Sequence, residues 1–189
     1  MSGTDTAAFA VKEHATLPPS LFDDCWFLYT DAMARLAHLA IQRHLMTPAE
    51  FRAVCNDPRI TKYTAVRDGA VVGMSVLTDD LTAVPLIEPR WFAHHFPDQY
   101  AARNIWYLGF ACVTGGGAVA GHVFARLIER MATGARAARG MVFMDFCSAN
   151  VARLIPGIRL AVKRLDPDHT FRVYDSQEFW GFDFREVQS

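Results

Sequence analysis

The stretch that most constrains the fold runs from Ile105 to Met131. Ile105 to Val113 is apolar on both faces, as a strand in the middle of a sheet must be. Thr114-Gly115-Gly116-Gly117-Ala118-Val119-Ala120-Gly121 follows, and then Val123, Phe124, Leu127, Ile128 and Met131 recur at helical spacing. Strand, glycine loop and helix in this order let backbone N–H groups converge on an anion at the helix N-terminus. A pyrophosphate can be held there without a lysine. The run is neither Gly-x-Gly-x-x-Gly nor a P-loop ending in Gly-Lys-Ser/Thr, so a mobile connection is the plain alternative reading.

Around this unit the pattern predicts a further set of elements. Thr6 to Glu13 alternates weakly, as an edge strand does. Ser20, with Asp23 placed for a capping box, starts a helix whose stripe is Phe22, Trp26, Tyr29, Met33, Leu36 and Ala40. Thr47-Pro48-Ala49-Glu50 starts a second helix, which ends near Asn56-Asp57-Pro58. Ile60 to Val66 and Val71 to Leu77 flank Asp68-Gly69, a hairpin signal. Residues 78–104 form an insert rich in proline and aromatic residues, with one short helix around Pro89 to His95. Met141 to Phe146 reads as a second buried strand, and Asn150 to Arg164 as a helix broken or kinked at Pro156-Gly157. Phe171 to Tyr174 and Phe179 to Phe184 read as a closing antiparallel pair. The order β-α-α-β-β-(insert)-β-α-β-α-β-β is that of a mixed sheet flanked by helices, an α/β (α+β) fold in one domain spanning 1–189.

Charge and cysteine usage exclude several classes. The formal net charge is −1, so no global basic field draws the chain to nucleic acid. Met1 to Ala10 lacks the layout of a signal peptide, and no stretch approaches the ~20 unbroken apolar residues of a membrane span. The four cysteines, Cys25, Cys55, Cys112 and Cys147, show no Cys-x-x-Cys spacing. They read as reduced and mostly packed, which implies a cytoplasmic setting. His94-His95 has no further ligand at metal-binding spacing, so no metal site is expected.

The element order and the glycine loop resemble the GNAT superfamily of N-acyltransferases, over nearly the whole chain. The resemblance implies an acyl-CoA donor, with its phosphates held by Val113, Gly115, Gly116, Gly117, Ala118 and Gly121. It also implies an amine acceptor. The family's loop usually reads Arg/Gln-x-x-Gly-x-Gly/Ala, and this loop has no Arg or Gln. The family's frequent Asn after the fifth strand is matched by Asn150, but the Tyr that often follows is replaced by Ile155-Pro156-Gly157-Ile158. Ile105-Trp106-Tyr107-Leu108-Gly109-Phe110-Ala111-Cys112-Val113 is also similar to the fourth strand of acyl-homoserine-lactone and N-acyl amino acid synthases, preceded as it is by Phe96-Pro97-Asp98. That similarity implies an acyl carrier protein as donor.

Acyl transfer to an amine needs a proton acceptor, a cradle for the carbonyl oxygen and an exit for the thiolate. Backbone N–H groups of Phe110 to Val113 are the expected oxyanion donors. Tyr107, Asp79, Asp80, His94 and His95 are the acid and base candidates. Tyr107, Cys112 and Asn150 are assigned to catalysis, although Cys112 also fits a packed core position. Trp91, Phe92 and Phe110 are expected to line the acyl or acceptor site. Cys147, beside Ser148 and Asn150, is a weaker nucleophile candidate because no partner His is identifiable. Arg136, Arg139, Arg153, Arg159, Lys163 and Arg164 form either a solvated face or a steering surface for an adenosine phosphate or an acidic carrier. The rival reading is a non-catalytic binding module on a degenerate GNAT scaffold. A homodimer through the C-terminal aromatics is the third.

Overall fold

Asp68 and Gly69 both take positive φ, 52° and 82°, the geometry of a tight two-residue hairpin turn. They join β2 (Thr61–Arg67) to β3 (Ala70–Thr78). The computed structural model describes residues 9–34, 36, 38–40, 45–85 and 87–180. β1 (Ala10–His14) adds antiparallel to β2, and β4 (Ile105–Val113) adds antiparallel to β3. β5 (Met141–Met144) lies parallel to β4, so the sheet order is β1-β2-β3-β4-β5. A parallel pair needs a crossover. The helix predicted after the glycine loop supplies it as α5 (Gly117–Ala137).

One face of the sheet is covered by α1 (Phe22–Ala34) and α2 (Pro48–Asn56). Cys25, Leu28, Tyr29 and Phe51 pack there on Met74, Val76, Phe110 and Cys112. Thr47 caps α2 and Glu50 reciprocates, so the capping box is formed as expected. The other face is covered by α5 and by α6 (Ser148–Leu165), with Val123, Leu127, Met131 and Ile158 on Leu77 and Leu108. The insert contains α3 (Pro89–His95) and a second short helix, α4 (Pro97–Ala101). They close a smaller core of Leu81, Phe92, Ile105 and Tyr107.

Several expectations need correction. Phe171 to Tyr174 is not a strand. Its aromatic rings dock instead, Tyr174 lying 4.8 Å from Phe143 and Phe171 beneath Arg159 at 5.0 Å. Phe179 and Trp180 have no regular structure, and the rest of the expected last strand lies outside the described residues, as do Thr6 to Ala8 of the first. Pro156 does not break α6, which continues through it. Pro156 and Ala152, whose carbonyl loses its helical donor, are both exposed, so water takes that carbonyl. Ser20 lies in a 3-10 turn, Pro19–Leu21, and makes no capping bond; α1 starts at Phe22.

The β3–β4 register skips once. Val76 faces Phe110, Leu77 faces Leu108, and Gly109 is the extra residue. A side chain at Gly109 would approach Val76 to 3.0 Å. Because of this bulge Tyr107 and Phe110, three positions apart, both face the α1–α3 side of the sheet.

Candidate functional site

β5 pairs with β4 only from Ile105↔Met141 to Leu108↔Met144, while β4 runs on to Val113. Beyond Leu108 the β5-facing edge of β4 meets no paired strand among the described residues. The direction of its amides follows from the other edge. Thr114 N–H donates to Val72 O at 3.0 Å. With Gly73↔Val113 and Ser75↔Ala111 as partners, alternation turns Cys112 and Phe110 toward β3. Ala111 and Val113 then direct their N–H groups into the opening. This narrows the expected donor set, Phe110 to Val113, to two groups.

At the apex of the opening the Tyr107 hydroxyl donates to Asp145 Oδ1 at 2.8 Å. Tyr107 is held by the small core under the insert, and Asp145 is the exposed residue directly after β5. A phenol and a carboxylate therefore meet where the strands part. Asp145 was not found by sequence reasoning. Its signal was weak: it is the first charge after the apolar run Met141 to Met144.

At the far end of the opening lies the glycine loop. Gly115 and Gly117 both take φ of +70°, a conformation that disfavours any side chain. Gly116 is the N-cap of α5 and offers no side-chain cap, so the first N–H groups of the helix face outward. Gly115, Gly116, Gly117, Ala118 and Gly121 are exposed, and no atom lies within 4 Å of a Cβ built at Gly121. A cleft of about 360 Å³ beside the loop is lined by Arg67, Val72, Thr114, Gly115, Gly116, Val119, Ala120 and Val123. Arg67, from the end of β2, lines this cleft, and sequence reasoning did not connect it with the loop. Asn150 sits in the first turn of α6, 4% exposed, and its Oδ1 accepts from Arg153 at 3.3 Å. Cys147 is the N-cap residue of the same helix and is half-buried.

Three expected site residues are core residues. Cys112 is 2% exposed between β4 and α1. Phe110 packs on Tyr29 at 5.1 Å, and Phe92 on Phe143 at 4.9 Å. Phe110 and Phe92 are each 6% exposed. Trp91 is half-buried and stacks on His95 at 4.2 Å. Asp79 is paired with Arg103 at 2.9 Å. The Thr82 hydroxyl bonds Asp80 and, as the largest cause, holds its carboxyl below the usual carboxylate range. Both aspartates lie at the β3–β4 end remote from the glycine loop, around a second cleft of about 190 Å³. Among the described residues no group of three or more His, Cys, Asp or Glu could hold a metal ion, and no helix is long and apolar enough to cross a membrane.

A scan of protein-family models and a search of curated proteins found no match to this chain. Solved structures do match. An aminoglycoside acetyltransferase from an uncultured soil metagenomic sample, in complex with trehalose, is 12% identical, with 95% of this chain and 100% of that one covered and a TM-score of 0.52. A ribosomal-protein-alanine N-acetyltransferase from Brucella melitensis biovar Abortus 2308 is 14% identical over 93% and 99%, with a TM-score of 0.54. A single-residue variant of the BH1408 protein of Bacillus halodurans is 14% identical over 92% and 99%, also at 0.54. Likeness at these identities shows the fold: a five-stranded mixed sheet flanked by helices, of the GNAT type. The neighbours with functional names are N-acetyltransferases. The similarity to acyl-homoserine-lactone synthases is not among the findings.

Proposed function

We propose that this chain transfers an acyl group from a pantetheine-type thioester, acyl-CoA or acyl carrier protein, to a small-molecule amine. The observation that carries the reading is the opened edge of β4, with the Ala111 amide directed into the opening and the Tyr107–Asp145 pair at its apex. The amine nitrogen attacks the thioester carbonyl carbon and the carbon–sulfur bond breaks. The Ala111 amide donates to the carbonyl oxygen as charge builds, worth ~3–4 kcal/mol for a well-aimed donor. Alignment of the two substrates contributes ~7–11 kcal/mol more. Asp145 takes the proton of the amine. Tyr107 gives its proton to the departing thiolate and regains one from Asp145, so the proton passes from amine to sulfur without leaving the site.

The loop residues Gly115, Gly116, Gly117 and Ala118, with Val113, Gly121 and Asn150, hold the phosphate end of the donor. Trp91 walls the acyl chain. The reading includes a cytoplasmic setting, supported by four free thiols. It also includes a homodimer, supported by exposed Phe179 and Trp180 and testable by light scattering. A loop without Arg or Gln favours a second reading, a non-catalytic binding module. The test is thiol release from acetyl-, octanoyl- and palmitoyl-CoA and from an acylated carrier protein, across a panel of amines, with products weighed by mass spectrometry. Release above the uncatalysed rate is expected. A folded protein that binds a thioester without turnover establishes the second reading, and one that binds none overturns both.

A further inference from the structure

The chain leaves α6 at Leu165 and forms no further helix or strand up to Trp180. Among the described residues, no backbone–backbone hydrogen bond ties 170–180 to the rest of the protein. Two rings hold this arm instead. Phe171 packs with the α5–α6 core beneath Arg159. Tyr174 sits on the other side of the sheet, with its ring 4.8 Å from Phe143 and 5.7 Å from Phe96, at interplanar angles of 46° and 83°. Phe96 and Phe143 are themselves 5.7 Å apart. These are the separations and tilts of favourable aromatic pairs. Phe96 and Phe143 thus form a seat for an aryl ring, and the chain's own phenol fills it. The hold is slight. Tyr174 is 38% exposed, and its hydroxyl makes no hydrogen bond among the described residues. The guanidinium over its ring, at 4.7 Å, belongs to Arg172 of the same arm and is exposed.

The seat adjoins the phenol–carboxylate pair. Phe143 is the direct β5 partner of Tyr107, and both pack in the small core under the insert. Asp145, two residues beyond Phe143, is exposed and accepts from the Tyr107 hydroxyl at 2.8 Å. Two residues of strand span about 6.5 Å. A cation against the Asp145 carboxylate and a ring on Phe96 and Phe143 are then the two ends of one small molecule, joined by a link of two or three carbons. We infer that this seat is the subsite for the aryl group of an arylalkyl primary amine, and that Tyr174 is a plug which the amine displaces. Asp145 holds the ammonium end and the seat takes the ring. The inference rests on the acyl-transfer reading for the fate of the amine, but not for its binding. The plug lowers the apparent affinity, because only molecules with Tyr174 lifted can accept the ring. Lifting it breaks two ring contacts and no backbone bond of the arm.

The test titrates the full chain with 2-phenylethylamine, with butylamine, which lacks the ring, and with 2-phenylethanol, which lacks the charge. Binding is read by calorimetry without any thioester. Wild type is expected to bind 2-phenylethylamine about tenfold or more tightly than either control. Tyr174→Ala removes the plug at a partly exposed position, with folding checked by circular dichroism. Its affinity for 2-phenylethylamine should rise about fivefold or more, while that for butylamine stays level. Tyr174→Phe keeps a ring in the seat and should behave as wild type. Asp145→Asn should erase the preference for 2-phenylethylamine over 2-phenylethanol. Failure of both wild type and Tyr174→Ala to bind 2-phenylethylamine overturns the inference, as does equal binding of butylamine. Equal or weaker binding in Tyr174→Ala also overturns it, because the phenol is then a fixed part of the fold and not a plug. Binding as expected, but with no acyl product from acetyl-CoA, leaves the subsite standing and counts against acyl transfer alone. Transfer to butylamine as readily as to 2-phenylethylamine keeps acyl transfer and removes the subsite.

Discussion

Tyr107→Phe removes one oxygen and keeps the ring in its core, so it isolates the hydroxyl's bond to Asp145. A hydrogen bond to a charged group is worth ~1.5–3 kcal/mol net. Asp145 is exposed, so water replaces the lost donor and the stability loss should be near ~1 kcal/mol. For a domain of this size that is a fall of ~2–4 °C in melting temperature. The effect on turnover should be larger. If the hydroxyl relays the proton, kcat falls ~10²-fold, equivalent to ~2.7 kcal/mol at the transition state. The donor's affinity changes little, because the loop and the β4 amides are untouched. Thiol release under saturating donor gives kcat, and titration with a non-reactive thioether analogue gives the affinity. Asp145→Asn should lower kcat by a comparable or greater factor, and the double variant should lose less than the product of the two losses. Unchanged kcat in Tyr107→Phe together with the small melting shift would refute the relay and make the pair a structural bond.

Three further outcomes follow from the geometry. Gly121→Asp places a carboxylate on an open helix surface at the loop and should abolish donor binding without unfolding the protein. Gly117→Asp should do the same with an added stability cost of ~1–2 kcal/mol from its positive φ, and wild-type affinity in both would reject the loop as the phosphate site. Trp91→Ala should weaken long acyl donors more than acetyl donors, whereas Phe92→Ala, in the core, should cost ~3–5 kcal/mol of stability; equal loss across chain lengths for Trp91 would give it a packing role. Stability should fall at alkaline pH. Burial, as the largest cause, raises the thiols of Cys25 from 9.0 to about 12 and Cys55 to about 11, and the Tyr63 phenol to about 12. The native state thus keeps protons that the unfolded chain has shed above the ordinary values, 9.0 for the thiols and 10.0 for the phenol. Their stabilisation is complete below those values and is lost as pH climbs toward about 11 for Cys55 and about 12 for Cys25 and Tyr63, by up to ~1.4 kcal/mol per pH unit per group. Lys62, lowered by burial, works against the trend. Urea midpoints that hold steady from about pH 8 to about pH 10.5 would contradict this.

The parts of the fold that were legible in the sequence are those set by short-range chemistry. Asp68-Gly69 demanded a turn with positive φ, Thr47 and Glu50 made a cap, and the apolar run at β4 could only sit inside a sheet. The C-terminal segment misled because aromatic residues in Phe171 to Tyr174 serve equally well as strand residues and as plugs, and tertiary contacts with Phe143 and Phe96 decided the matter. Pro156 misled because the cost of a helical proline depends on whether the freed carbonyl is wet. The candidate site was half legible. The glycine loop and Tyr107 stood out, but Asp145 meets Tyr107 across 38 residues of sequence, and no local pattern encodes that distance. The packing of Phe110 and Phe92 into cores was not legible, because the bulge at Gly109 and the two short helices of the insert decide which face they present.

The segment after α6 has a bearing on solubility. Phe171 packs with the α5–α6 core, and three residues later Tyr174 lies on Phe143 and Phe96 at the opposite face. To do so the chain must pass around the outer side of β5. An edge strand with unclaimed amides is a template for pairing with any extended segment of another molecule. Four residues is already a short template, and the arm with its two aromatic anchors stands guard over it. The same rings that denied the sheet another strand thereby protect its last one from joining a foreign sheet.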